Sequence, residues 1–135
     1  MYTSFDKTRW QAFNDLESDG PIHMLNLIRF HEKARYADGR DVTGAEAYAN
    51  YSKLSGPVFE RLGGRIVWRG SPEIMMIGPD EEAWDIAFIA EYPKASAFTT
   101  MITDPEYRSA MEHRQAAVLD SRLVRMSPLK AGATF

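Results

Sequence analysis

Few residues of this chain have types and spacing suited to chemistry, and Arg114 is the most informative of them. Counted by threes and fours from Tyr107, the residues Tyr107, Ala110, Met111, Arg114, Ala117 and Val118 form one stripe of a predicted helix, so the guanidinium faces whatever that helix packs on. An arginine so placed presents a fixed fork of donors that stays charged at any relevant pH, which suits a clamp for a carboxylate or an enolate. The same placement suits a structural ion pair with Asp85, Asp104 or Asp120, and both readings stand at this point. Asn26 lies within an otherwise apolar run and needs a ligand carbonyl or a backbone partner, since an unpaired buried amide costs on the order of 1 to 3 kcal/mol. Trp68 and Trp84 offer flat apolar walls with one donor each, although core packing explains them equally well. Asp85 is a candidate general base if apolar surroundings raise its pKa, and a salt bridge to an arginine is the alternative. The candidates are therefore Arg114 and Asp85 for catalysis, and Asn26, Trp68, Trp84, Tyr107 and Arg114 for binding a substrate.

No metal site and no cofactor are expected. His23 and His31 share a strand face but stand roughly 26 Å apart at the usual strand rise, and His113 lies off the stripe centred on Tyr107 and Arg114. Gly63-Gly64 falls between a helix end and a strand, without the following helix that a phosphate-binding loop needs. The chain has no cysteine, which removes disulfides, thiolate ligands and a cysteine nucleophile and suits a reducing cytoplasm. Its net charge of -3 is spread over both signs, so neither nucleic acid nor anionic lipid is an expected partner. Asp6, Lys7 and Arg9 stand where a signal peptide would be apolar, and no stretch has membrane-spanning length. A cytoplasmic protein that binds a small molecule fits these features.

The elements that position the candidates follow from periodicity. With 135 residues and 44% hydrophobic composition, the chain supports one domain over 1–135, divided into a helical extension (1–20), a core (21–128) and a mobile tail (129–135). Thr8 and Gln11 have the form of a capping box before a helix carrying Trp10, Phe13 and Leu16. Pro21 to Phe30 reads as a central strand with Ile22, Met24, Ile28 and Phe30 on one face and Leu25 and Leu27 on the other. An exposed loop from His31 to Val42 follows, and a second capping box, Thr43 with Glu46, opens a helix that Gly56-Pro57 is expected to kink into two pieces. Arg65 to Arg69 and Glu73 to Ile77 read as one long strand bulged at Gly70-Ser71-Pro72, paired as a hairpin with Trp84 to Tyr92. Pro93 to Met101 forms a short helix, Asp104-Pro105 caps the next one, and Leu123 to Met126 is the last strand. The order implies an α+β, ferredoxin-like βαββαβ sandwich with an extra N-terminal helix. Helices suffice for one sheet face only, so a homodimer through the other apolar face is expected.

The residues Asn26-Leu27, Phe30, Tyr48, Tyr51, Gly63-Gly64-Arg65, Trp84-Asp85, Tyr92-Pro93, Asp104-Pro105-Glu106-Tyr107 and Arg114 together resemble the domain of unknown function 1330 (DUF1330) family. That family lies within the superfamily of dimeric α+β barrels, and the resemblance covers nearly the whole chain after Gly20. Lys94 departs from the serine that the pattern usually carries, which weakens the cap of the short helix. The resemblance implies the fold and dimerisation. For function it implies a cofactor-free monooxygenase or isomerase acting on a small organic acid or enolisable compound, or a non-catalytic ligand-binding protein. It also admits haem binding or degradation, because haem-degrading relatives use an asparagine, a tryptophan and a helical histidine. Here Asn26, Trp84 and His113 have those types, although the interval from Trp84 to His113 is much longer than in that pattern.

Overall fold

In the computed structural model, which describes residues 1–135, the apolar run after Pro21 forms β1 (Ile22–Phe30). It lies between two antiparallel neighbours, β3 (Ile86–Tyr92) and β4 (Val118–Met126), and β2 (Arg65–Gly70) forms the edge beyond β3. The helices α2 (Gly44–Arg61) and α4 (Pro105–Ala117) pack on each other over one sheet face, while α1 (Lys7–Asp15) and α3 (Ala95–Thr103) flank them. The order β2-β3-β1-β4 is the ferredoxin-like α+β arrangement expected from the sequence.

Local chemistry sets the ends of the helices. Thr43 Oγ1 accepts from the Glu46 amide and the Glu46 carboxylate accepts from the Thr43 amide, each at 3.0 Å, which closes the anticipated capping box. The next residue is glycine for a steric reason, since a β-carbon on Gly44 would run into the His31 carbonyl oxygen. At the other end Gly63 has φ +83°, and its amide and that of Gly64 return to the carbonyls of Glu60 and Phe59. Asp104 Oδ1 accepts from the amides of Glu106 and Tyr107 at 2.8 and 3.2 Å, with Pro105 in the first turn, as read from the sequence. Lys94 stands at the start of α3 and its side chain caps nothing.

Several expectations are corrected. Asp6, not Thr8, caps α1, because its carboxylate accepts from the Arg9 amide at 2.8 Å and an anion outcompetes a hydroxyl at the positive end of a helix. Pro57 does not divide α2. It sits on the exposed side, where the Lys53 carbonyl that loses its donor faces water. The loop after β1 is only partly exposed, since Ala34 and Tyr36 are buried and Lys33 bridges to Thr43. Glu73 to Ile77 is not a strand, and β3 starts at Ile86 rather than Trp84. The bulge of β2 lies between Ile66 and Trp68, not at Gly70 to Pro72. β4 starts at Val118, five residues ahead of Leu123, because Arg122, Ser121 and Asp120 pair with Leu27, Ile28 and Arg29, and Val118 pairs with Phe30 beyond an irregularity that skips Leu119.

Beneath the helices the core is divided. One cluster gathers Ile22, Met24, Val58, Tyr92, Phe98 and Tyr107 at one end. A second gathers Ile28, Ala34, Tyr36, Ala47, Ala117 and Val118 at the other. Asn26 lies between them on the same sheet face, and Phe88 packs against both. No helix covers the opposite face, where Leu25, Leu27, Ile89, Val124 and Trp68 form an apolar surface, with Val124 47% and Trp68 50% exposed. Charged residues border it: His23, Arg65 and Glu91 at one end, and Arg29, Asp120 and Arg122 at the other.

Candidate functional site

Beside the first core cluster lies a cavity of about 1540 Å³, bounded by the sheet, helices α2 and α4, and the segment before β1 with α1. Its floor includes a transverse row in register across four strands, Arg69, Phe88, Asn26 and Leu123. Tyr48 and Tyr51, three residues apart on α2, and Tyr107, Met111 and Arg114, spaced by four and three on α4, bring their side chains over that row. The segment before β1 closes one side. Tyr2 is tied to β4 by its amide on Asp120 at 2.9 Å and by Ser121 Oγ donating to its carbonyl at 2.8 Å. Phe5 stacks on Trp10 with ring centroids 5.5 Å apart, and Arg125 donates to the Phe13 carbonyl at 2.8 Å.

Arg114 brings a permanent cation to this cavity without a carboxylate partner. Its Nη1 donates to the Thr3 carbonyl at 2.7 Å, and no salt bridge of the protein includes it. The three acids weighed as partners are engaged elsewhere: Asp104 caps α4 and faces Arg61, Asp120 pairs with Arg122 at 2.9 Å, and Asp85 accepts from the Phe30 amide at 2.7 Å. Asn26 donates from Nδ2 to the carbonyl of Met24 at 3.0 Å, and its Oδ1 accepts no hydrogen bond within the chain. The Tyr51 and Tyr107 hydroxyls share a hydrogen bond of 2.7 Å, whereas the Tyr48 hydroxyl makes none within the chain. Burial pushes the Tyr48 and Tyr107 phenols well above the ordinary range, nearby Tyr51 adds to this, and Arg114 opposes it at both. These phenols are therefore neutral donors. The free Tyr48 hydroxyl and an arginine without a carboxylate partner, around an apolar space, can stabilise an anionic oxygen in the manner of an oxyanion hole, while Asn26 Oδ1 can accept from a neutral hydroxyl. The acids of the lining stand apart from this centre, Asp6 as the cap of α1 and Glu112 on the exposed side of α4.

Of the candidates read from the sequence, Asn26, Tyr107 and Arg114 meet in the cavity. Trp68 stands on the opposite sheet face, and Trp84 lies in the loop before β3, its ring 5.0 Å from the Arg122 guanidinium. Asp85 is held at the end of β1, its amide donating to the Ile28 carbonyl and its carboxylate accepting from the Phe30 amide and from no arginine. The three residues of the haem pattern do not converge, since His113 Nδ1 bonds the Tyr36 hydroxyl at 2.6 Å and Trp84 lies beyond the sheet from Asn26. No cluster of three histidine, cysteine, aspartate or glutamate side chains is arranged to hold a metal ion. Sequence reasoning left Tyr48, Tyr51, Met111 and Arg69 out of the site. The two α2 tyrosines carried a signal, because phenols in an apolar stripe bring hydroxyls to the buried side.

The model of the family described as "Domain of unknown function (DUF1330)" matches residues 37–126, which leaves β1 outside the matched span. No curated protein matches the chain. Among solved structures the chain is similar to the RPA0582 protein, a protein of unknown function from Rhodopseudomonas palustris. The methylated form shares 56% identity at a TM-score of 0.94, with 97% of each chain covered. More distant likeness, in the fold alone, extends to a dabb family protein with a ferredoxin-like fold from Mesorhizobium loti, with 12% identity, TM-score 0.57, and 83% of this chain and 100% of that one covered. It extends also to SnoaB, a cofactor-independent oxygenase from Streptomyces nogalater, with 13% identity, TM-score 0.55, and 85% and 99% covered. A further ferredoxin-like neighbour, from Bacteroides fragilis, is described as dimeric, with 13% identity, TM-score 0.50, and 78% and 94% covered. No helix of the protein is long and apolar enough to cross a membrane.

Proposed function

The chain belongs to the DUF1330 family, and we propose that it binds a small organic acid or enolisable compound in the cavity between sheet and helices, using Arg114 as the anion clamp. The observation that carries this reading is a half-buried arginine in an apolar cavity with a backbone carbonyl as its sole partner. A ligand oxyanion is a better partner than a carbonyl for a guanidinium, and charge-assisted bonds are roughly twice as strong as neutral ones. The free Tyr48 hydroxyl supplies a second donor to the same space. Calorimetry with small aliphatic and aromatic carboxylates and their primary amides tests the reading. The carboxylates should bind and the amides should not, and equal affinities would exclude the clamp.

Cofactor-free turnover is the second reading, and the neutral phenols beside Arg114 favour it, because the same groups stabilise an enolate once a proton has left. The cofactor-independent oxygenase of the same fold supports this as an analogy of architecture. Binding without turnover is favoured by the position of the acids, since no carboxylate stands beside Arg114 to take the proton. Product analysis after long incubation with bound ligands separates the two.

We infer also that two copies join through the uncovered sheet face. The apolar surface around Leu25, Ile89 and Val124 supports this, as does the segment after β2, where Ile74, Met76 and Ile77 are 76%, 80% and 94% exposed. A soluble monomer seldom leaves so much apolar surface bare.

A further inference from the structure

We propose that the ligand of this cavity carries a second anionic group, a carboxylate held by Arg69 at the β2 edge, so that the site selects elongated diacids or keto acids; this rests on the reading of Arg114 as the central clamp. The row across the sheet floor carries the inference. Arg69, Phe88 and Asn26 are in register on β2, β3 and β1, which places the Arg69 backbone two strand spacings, roughly 10 Å, from that of Asn26. Phe88 lies between them, an apolar floor for the middle of a chain or a flat ring. Arg69 lines the cavity, makes no side-chain hydrogen bond or salt bridge, and is more exposed than Arg114, as an entry anchor would be.

Charge across the lining points the same way. Arg9, Arg69, Arg108, Arg114 and Arg125 line the cavity against Asp6 and Glu112, while Arg122 at its border is neutralised by Asp120 and Glu82, in a protein whose net charge is -3. A positive cavity in an acidic protein draws anions from solution, and a doubly charged ligand is drawn more strongly than a singly charged one. Both Arg69 and Arg114 act on the Tyr48 phenol, which therefore lies within the field of each. A ligand with an oxyanion at Arg114 and Tyr48, a carboxylate toward Arg69 and a neutral hydroxyl donating to Asn26 Oδ1 uses the unpartnered polar groups around the row.

The test is calorimetry on the wild-type protein, Arg69→Gln and Arg114→Met, with the diacids from succinate to suberate and their monomethyl esters. In the wild type the best diacid should bind about tenfold more tightly than its monoester, an advantage that shrinks at high salt. In Arg69→Gln that ratio should fall to near two, the statistical value for two equivalent carboxylates. A wild-type ratio of two or less at every length overturns the second anchor, and so does a ratio unchanged in Arg69→Gln. Arg114→Met reports on the central clamp separately, because monoester affinity equal to that of the wild type defeats the clamp whatever the Arg69 result. Arg69 is exposed and unpaired, so the Arg69→Gln protein should melt with the wild type, which confirms that the ratio is read on folded protein.

Discussion

Replacing Arg114 by methionine separates a ligand clamp from a structural cation, and the structure sets different magnitudes for the two. Methionine keeps most of the apolar stem and removes the charge. On the folding side the substitution loses one hydrogen bond to the Thr3 carbonyl, worth about 1 kcal/mol, and strands no carboxylate. A ferredoxin-like domain of this length loses roughly 3 to 5 °C of melting temperature per kcal/mol, so the protein without ligand should melt only that much earlier. Had Arg114 been half of a buried ion pair, the loss would be on the order of 3 to 5 kcal/mol and the shift roughly 9 to 25 °C. On the ligand side, hydrogen bonds to a charged group contribute about 1.5 to 3 kcal/mol, which corresponds to roughly 10-fold to 150-fold weaker binding of a carboxylate. The higher losses seen when fully buried charge pairs are truncated do not apply, because Arg114 is only half-buried. Thermal melts with and without ligand, together with calorimetry, measure both sides. Unchanged carboxylate affinity in a protein that melts more than 10 °C earlier would refute the reasoning.

Two further outcomes follow from the sheet. Sedimentation at micromolar concentration should give twice the chain mass of 15.3 kDa, and Val124→Lys on the uncovered face should give the single mass; a wild-type protein that sediments as a monomer at tens of micromolar would defeat the interface. The second outcome concerns acid. Glu91 accepts from His23 at 2.7 Å and from Arg65 at 2.8 Å, and these bonds, that of His23 first, hold its carboxyl below the ordinary glutamate value. Its folded pKa being the lower one, its contribution is complete above the unfolded carboxyl pKa and is lost as pH falls through the folded one. Urea midpoints of Glu91→Gln should therefore fall less steeply into acid than those of the wild type, and parallel acid limbs would exclude the linkage.

The fold was largely legible because its signals are local. Alternation in β1, the Thr43 and Asp104 caps and the glycines after α2 each act within a few residues, and they place the elements in order. The site was less legible, chiefly because of one residue. Strict alternation from Ile66 puts Trp68 on the cavity face and Arg69 on the other, but the irregularity between Ile66 and Trp68 inserts Val67 and reverses both. A bulge was anticipated in this strand, but at Gly70 to Pro72, where it would have left Trp68 in the cavity. Trp84 and Asp85 misled for a related reason. The apolar run of β3 reads backward into them, while the Asp85 carboxylate satisfies the Phe30 amide and so ends the ladder at Ile86. Arg114, by contrast, lies on a helix whose period the sequence shows without interruption, and the structure puts it in the cavity.

The division of the core explains how a chain of 135 residues can hold so large an open volume. Stability is concentrated at the two ends, where Ile22, Val58 and Phe98 pack in one cluster and Ile28, Ala47 and Val118 in the other. Of the row between them only Phe88 packs against the clusters, so its other positions can hold residues a continuous core would exclude. Asn26 is tolerable there because its amide is half satisfied by the Met24 carbonyl, and Arg114 because the Thr3 carbonyl accepts one of its donors. Both arrangements leave hydrogen-bonding capacity unused, and a ligand that takes it up binds only the folded protein. By linkage such a ligand raises stability, by about 2.7 kcal/mol at a hundred times its Kd. The unfilled middle and the carbonyl-tethered arginine are thus two aspects of one design, a fold stable at its ends and completed at its centre by what it binds.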